Sequence, residues 1–326
     1  MAKRVGIAGA TGLVGRTMMR VLEERDFELD SLRLFASSRS VGSRLPFRGK
    51  EIDVEELTRD SVGDVDILLF SAGAGVSREY SPIAADAGAV VVDNSSAWRS
   101  DPDVPLVVPE VNPETIGRNR GIIANPNCST IQLVLPLKAL DDGFGLRRVI
   151  VSTYQSISGA GQSAVDQLDE ELAGRSPASP KFSRPVAFNT IFHSFPEGSD
   201  QTEEEVKMVR ETRRILGLDS LPIAVTCVRI PTTGGHAESV NVELQREASP
   251  EEIRELLASG PGMRVIDSPE RDSYPTVLDA EGQDDVLIGR IRRDHSSENA
   301  FHLWVVADNL RKGAATNAVQ IAERLN

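Results

Sequence analysis

The sequence predicts an α/β protein in two parts: a Rossmann-type doubly wound parallel sheet, then an α+β domain with a largely antiparallel sheet, and a C-terminal helix that returns to the first. Three observations carry this. Residues 4–8 form a short apolar run that enters the glycine turn "GATGLVG" and leaves it into a helical pattern. Short β-rich runs then alternate with helical stretches up to about residue 127, the mark of βαβ units in a parallel sheet. Beyond Cys128 the strands lengthen, which suits an antiparallel sheet with interspersed helices. At 326 residues the chain suits two cores better than one, with domains expected at 1–127, completed by about 309–326, and at 128–308.

The elements follow in order. In "RTMMRVLEERD" the apolar Met18, Met19 and Leu22 fall at helical spacing. "LRLFAS" reads as the second strand, and "DVDILLFSAG", "GAVVVDNSS", "PLVVPEV" and "GIIANP" as further strands, with Ser77 to Ala87 helical. Asn125-Pro126-Asn127 can hardly continue a strand, whereas Ser129 to Leu140 reads as helix. "RRVIVSTYQSISGAG", "PIAVTCVRIP", "AESVNVELQ", "DVLIGRIRRD" and "AFHLWVVADN" are the longer strands, and "SPEEIRELLA" is a helix among them. Gly174 to Phe195, rich in Ser and Pro, reads as a long excursion, and "GAATNAVQIAERL" as a closing amphipathic helix.

Composition excludes several classes. No run approaches the ~18 consecutive apolar residues of a membrane span, and no cleavable signal is seen in "MAKRVGIAGATG", so a cytoplasmic location is expected. A net charge of −13 argues against a nucleic-acid partner. Two cysteines, 128 and 227, and four histidines, 193, 236, 295 and 302, show no metal-ligand spacing, so no metal is expected.

Gly9, Gly12 and Gly15 form G-x-x-G-x-x-G, a departure from the usual dinucleotide spacing. The context, a strand before and a helix after, would nonetheless turn the backbone N–H groups around Thr11, Leu13 and Val14 and the helix dipole towards a pyrophosphate. A merely tight turn is the plainer alternative. At the end of the second strand, where an NAD enzyme places an acidic residue for the ribose 2′-hydroxyl, the chain has Ser37, Ser38, Arg39 and Ser40. Hydroxyls and a guanidinium suit a 2′-phosphate, so NADP is the expected cofactor.

Cys128 is expected at a helix N-terminus, where the dipole favours a thiolate. Placement alone leaves a structural and a catalytic cysteine equally open. His236, in the glycine-flanked "RIPTTGGHAESV", reads as a loop residue better placed to serve a cysteine than the other histidines. Arg229 lies on a strand whose apolar residues predict burial, and a buried Arg needs an anion, either a substrate carboxylate or an internal acid. Cys227 shares its strand face but has the neighbours of a core residue.

The motifs "GATGLVG", "FSAG", "VVDNSSAWR", "PLVVPEVN", "NPNCSTIQ", "VSTYQSISGAG", "CVRIP", "GHAES" and "WVVADNLRKGAA" occur in an order and at spacings that resemble the aspartate-semialdehyde dehydrogenases along nearly the whole chain. The resemblance implies NADPH-dependent reduction of L-4-aspartyl phosphate to L-aspartate 4-semialdehyde, on the way to lysine, threonine and methionine, and a homodimer or dimer of dimers built through the second domain. It implies that Cys128 is the nucleophile, His236 the acid/base, Gln155 the amide that orients the acyl group, and Asn127 a partner in the nucleophile's motif. It assigns Arg229 to the substrate carboxylate, Glu204 to its ammonium group, and Arg99 and Lys207 to phosphate. Ser158, Gly159 and Asn309 match cofactor contacts. Two departures stand out: Asn125 where many relatives carry a second cysteine, and a more glycine-rich stretch before His236.

Two other readings remain open. An N-acetyl-glutamyl-phosphate reductase would pair the same Cys and His, but would not need Glu204 and Lys207, three apart on a predicted helix, to meet a free amine. A non-catalytic NADP-binding redox sensor would keep the fold and use Cys128 as a switch.

Overall fold

The computed structural model describes residues 2–325. They form two compact units: 2–127 together with 314–325, and Cys128–Gly313.

The first unit begins with β1 (Lys3–Ala8), α1 (Leu13–Glu24), β2 (Leu29–Ala36), β3 (Arg44–Phe47), β4 (Lys50–Glu56), β5 (Ile67–Phe70), α2 (Ala74–Asp86), β6 (Val90–Asp93) and β7 (Ile122–Ala124). These strands make one sheet in the order β3-β4-β2-β1-β5-β6-β7, parallel except for the β3–β4 hairpin. The hairpin gave no clear signal in the sequence. On β5 every residue is buried, because Ile67 and Leu69 pack into one cluster with α1 and the C-terminal helix, and Leu68 and Phe70 into another with Ala84 of α2. Burial on both faces is why such strands read as continuous apolar runs. From β1 the chain builds outwards in both directions, so the carboxyl ends of β1 and β5 flank the sheet's topological switch point, where open α/β sheets bind ligands.

Two expectations change here. "PLVVPEV" is not a strand: apart from a single parallel bridge, Leu106 to Ala124, it is a buried loop held by the Asn112 side chain, which accepts from the Val108 N–H and donates to the Leu106 carbonyl. The closing helix is buried on nearly every side, since Thr316, Asn317, Ala318, Val319, Ile321 and Ala322 are all inaccessible. Small residues there allow close packing rather than mark an amphipathic surface helix.

The second unit runs α3 (Cys128–Phe144), β8 (Leu146–Gln155), α4 (Gln162–Leu172), β9 (Ile191–Phe192), α5 (Glu203–Leu216), β10 (Ile223–Arg229), β11 (His236–Leu244), α6 (Pro250–Ser259), β12 (Met263–Val265), α7 (Val277–Ala280), β13 (Val286–Asp294) and β14 (Ala300–Ala307), after which α8 (Thr316–Glu323) belongs to the first unit. Its sheet is ordered β12-β13-β14-β11-β8-β10-β9. The central pairs β13–β14, β14–β11 and β11–β8 are antiparallel, as is β10–β9, while β8–β10 and β12–β13 are parallel. Helices α3, α5 and α6 cover one face.

Candidate active site

In the first unit the glycine turn closes tightly on the sheet. Gly9 has φ +83°, and a Cβ there would sit 2.4 Å from the Ser71 carbonyl oxygen, while one on Gly15 would sit 2.3 Å from the Gly9 oxygen. Packing therefore requires both glycines. Gly12 differs: its Cβ would meet nothing nearer than 3.4 Å, so the missing side chain leaves room for an external group. Gly12 caps α1 without any side-chain hydrogen bond, leaving the first-turn N–H groups of Leu13 and Val14 for a ligand. Past β2, Ser37 precedes a short 3₁₀ turn, Ser38–Ser40. Ser37, Ser38 and Arg39 are exposed, and the Arg39 side chain makes no ion pair among the described residues. These residues fit a dinucleotide with its pyrophosphate on α1.

Arg99 is also in this unit. It is buried, and its Nε and Nη2 donate to the carbonyls of Asn125 and Asn94 at 2.9 and 2.8 Å. Asn125, the departure from the family pattern, is inaccessible and well bonded. It donates to the Asn94 side chain and the Ala314 carbonyl, and accepts from the Asn317 amide. In place of a second thiol the chain thus has an amide tying the end of β7 to α8.

The nucleophile candidate opens the second unit. Cys128 is the first residue of α3, directly after the buried Asn127, and its Sγ lies 3.1 Å from His236 Nε2. His236 is not in a loop as expected. It is the first residue of β11, paired with Ala307 of β14, and so has a fixed backbone. The Ser156 backbone N–H donates to its Nδ1 at 3.0 Å. An N–H can only donate, so Nδ1 is the bare nitrogen and, in the neutral ring, Nε2 carries the proton. That proton points at the sulfur. Complete burial, then the Arg229 charge, lowers the imidazole to about 3, so the ring is neutral at physiological pH.

Around this pair stand the other predicted residues of the unit. Gln155 ends β8, fully buried, and its Nε2 donates to Glu204 Oε1 at 3.1 Å, while its Oε1 has no partner among the described residues. Glu204 lies in the first turn of α5, and Lys207 Nζ is 3.9 Å from its Oε2 and 3.6 Å from Glu203. Arg229 ends β10 and donates from Nη1 to the Ser156 carbonyl at 3.0 Å; burial lowers its guanidinium from the ordinary value. Its strand is less buried than the apolar residues suggested, and only Cys227 is inaccessible there. Burial pushes the Cys227 thiol well up, so it stays protonated. Gly159 is pressed against the pair: a Cβ on it would come within 3.3 Å of both the Arg229 guanidinium and the His236 ring.

Ser158 and Asn309 meet directly. The hydroxyls of Ser156 and Ser158 both donate to Asn309 Oδ1, and Asn309 Nδ2 is buried without a partner among the described residues. A buried, unpaired amide donor fits a ligand carbonyl such as a nicotinamide carboxamide.

Several site residues carried no readable role in the sequence. Ser156 acts through its backbone, a contact no motif displays. Gly313 lets the chain pass the nucleophile, since its Cβ would lie 3.0 Å from that of Cys128. His193 and Glu238 also lie against the site, and only the tertiary fold brings them there.

Comparison with known proteins supplies the family. Residues 4–119 match the model "Semialdehyde dehydrogenase, NAD binding domain", and residues 137–312 match "Semialdehyde dehydrogenase, dimerisation domain". A relative from Aquifex aeolicus, an aspartate-semialdehyde dehydrogenase, is 52% identical over 336 residues, covering 100% of this chain and 98% of its own. The crystal structure of aspartate semialdehyde dehydrogenase II from Vibrio cholerae, complexed with ASA, superposes with a TM-score of 0.95 at 47% identity, covering 100% and 98% of the two chains. A more distant structure from Candida albicans, with NADP, gives 0.77 at 27% identity, again covering 100% and 98%. The first unit accordingly takes a nicotinamide cofactor, and with likeness of this extent from end to end the chain belongs to the aspartate-semialdehyde dehydrogenases, a family of oxidoreductases.

Proposed function

We propose that the chain reduces L-4-aspartyl phosphate to L-aspartate 4-semialdehyde with NADPH, through an acyl-thioester on Cys128. The observation that carries this is the 3.1 Å contact between Cys128 Sγ and His236 Nε2 at the start of a helix. The Nε2–H and the helix dipole together favour the thiolate. The relatives reported above are named aspartate-semialdehyde dehydrogenases, which favours this reading over the two alternatives.

Each residue has a task. Arg229 takes the substrate's α-carboxylate and Glu204 its ammonium group, while Lys207 and Arg99 neutralise the phosphate. The thiolate attacks the acyl carbon; a C–S bond forms, the C–O bond to phosphate breaks, and phosphate leaves. Backbone N–H groups at the start of α3 and the Gln155 amide steady the oxyanion. When bound, the nicotinamide cofactor supplies the hydride that takes the acyl group to the aldehyde level. His236, neutral, hydrogen-bonds the resulting alkoxide through Nε2–H, much as other enzymes use a neutral imidazole as electrophile. Cleavage of the C–S bond releases the aldehyde and restores the thiolate. Ser158, Gly159 and Asn309 would hold the nicotinamide end of the cofactor, and Gly12, Leu13 and Val14 its pyrophosphate.

NADP over NAD rests on Ser37, Ser38, Arg39 and Ser40. Arg39→Asp should raise KM for NADP far more than for NAD; an equal rise in both would place the 2′-phosphate elsewhere. The thioester mechanism is tested by phosphate-dependent reduction of NADP with aspartate semialdehyde, which Cys128→Ala should abolish. Surviving turnover would sink the covalent step. We further propose a cytoplasmic homodimer joined through the sheet face of the second unit opposite α3 and α5.

A further inference from the structure

His193 has no role in the reading above, yet its surroundings are those of a ligand-binding residue. It follows β9 directly. Ile191 pairs with Arg229 and Phe192 with Val228, so the two-residue period puts Ile191 and His193 on the same face as Arg229. Ile191 is buried on that face and Phe192 is exposed on the other. The Nε2 of His193 is buried with no hydrogen-bond partner among the described residues. Arg229, Lys207, Glu204 and Glu205 all act on its ring, and it acts in turn on His236. Burial first, and Arg229 second, lower the imidazole to about 4, so at neutral pH it offers one donor and one acceptor and no charge.

An unpaired buried nitrogen is costly and calls for an explanation. Here Arg229 lies on the same face of the adjoining strand, and Glu204 and Lys207, which would hold an amino acid with it, act on the ring electrostatically. Resting on the assignment of the α-carboxylate to Arg229 and the ammonium group to Glu204, we infer that His193 is a third substrate contact, its Nε2 hydrogen-bonding the amino-acid head group between those two charges. A neutral group suits this position. It adds a directional bond without upsetting the balance of charge between Arg229, Glu204 and the zwitterionic head group.

The test is a KM split in the full-length protein, with aspartate semialdehyde, phosphate and NADP varied in turn for wild type, His193→Leu, His193→Gln and Arg229→Leu. His193→Leu should raise KM for the semialdehyde about tenfold and leave those for phosphate and NADP unchanged. His193→Gln, which keeps a polar hydrogen-bonding end, should recover most of the loss. A semialdehyde KM equal to wild type in His193→Leu overturns the inference, and so does a similar rise in all three constants, the result of a structural role. Should His193→Leu lose its cooperative melting transition, the imidazole NMR signal of wild-type His193, identified by its loss in His193→Gln, decides instead. A shift on adding the semialdehyde supports the contact and no shift overturns it. Arg229→Leu separates the two levels of the argument: if it leaves the semialdehyde KM intact, the head-group assignment itself fails, whereas a large rise there beside a silent His193→Leu overturns only the role of His193.

Discussion

The two faces of the second unit's sheet are built from the same strands and could hardly differ more. Along β8, β10 and β11 one set of alternate residues, Thr153, Gln155, Cys227, Arg229, His236 and Glu238, points towards α3 and α5. The intervening set, Ser152, Tyr154, Ser239 and Asn241, with His302 and Trp304 of β14, forms the opposite face and stays partly accessible. There the Tyr154 and Trp304 rings meet at a 47° tilt with centroids 5.6 Å apart, and a small cluster of Ala237, Val306 and Leu287 packs under α7. A period of two residues thus separates chemistry from surface within a single strand. The helix-covered face can hold polar groups in fixed, water-poor positions, where hydrogen bonds count for most; the open face has only its side chains to offer a partner.

The sharpest way to break this contrast is at His236. If a neutral ring donates through Nε2–H, then Gln, which can put an amide N–H near the same place, should substitute in part. His236→Ala is expected to lower kcat/KM by on the order of 10²–10³-fold, the cost of losing an oxyanion donor, and His236→Gln by clearly less. With the imidazole lowered to about 3, the kcat/KM profile should show no ionisation of this ring between pH 5 and 8. An equal collapse of both variants, with an acid limb near the ordinary imidazole range, would instead make His236 a base that takes the thiol proton. The sign for stability follows from the same shift. A histidine depressed in the folded state contributes fully above its unfolded value, and that contribution is lost as pH falls from about 6.5 towards 3.

On the open face the expected effect is on assembly rather than chemistry. Trp304 donates from Nε1 to the Pro275 carbonyl at 3.0 Å, and Arg290 and Arg292 lie beside it in the groove. Trp304→Arg adds a third positive charge to a surface where two copies are proposed to meet, and a buried, unpaired charge opposes association. Light scattering should report a smaller species with little change in the KM for semialdehyde. A variant that remains the same size as wild type would remove this face from the interface.

Legibility in the sequence follows the same division. The glycine turn, the parallel strands and the Cys128 helix start are local, so pattern and capping logic reach them. Asn125 could be read as a missing thiol, but not as a hub, because Asn94 and Asn317, which complete it, lie 31 and 192 residues away. His236 was expected in a loop because the glycines before it are local and the pairing with Ala307 is not. His193 sits in an excursion whose composition suggests only irregular chain, and its proximity to Arg229 depends on the two-residue β9. The resemblance to a family is what points to Glu204 and Lys207 as proposed substrate contacts; the residues themselves would have left them as a solvated ion pair.

The smallest expected effect concerns Glu238, two residues beyond His236 and inaccessible on the same face. Neither carboxyl oxygen has a hydrogen-bond partner within 3.5 Å among the described residues. Gln132 of α3 is the nearby polar side chain, and its own best contact is a long 3.4 Å bond to the His236 carbonyl. Burial raises the Glu238 carboxyl well above its ordinary value, so the folded protein holds the neutral acid. A carboxyl raised in this way contributes its stability below the unfolded value of about 4.3, and loses it as pH rises, by up to about 1.4 kcal/mol per pH unit. Glu238→Gln has nearly the same shape and cannot ionise in the unfolded chain. It should therefore melt above wild type at pH 8, with the gap closing towards pH 4.5, while the semialdehyde KM stays put. Calorimetry across that range checks the slope; a variant less stable than wild type at every pH would mean that Glu238 is ionised and bonded in the folded state, and that the buried face holds one more working charge.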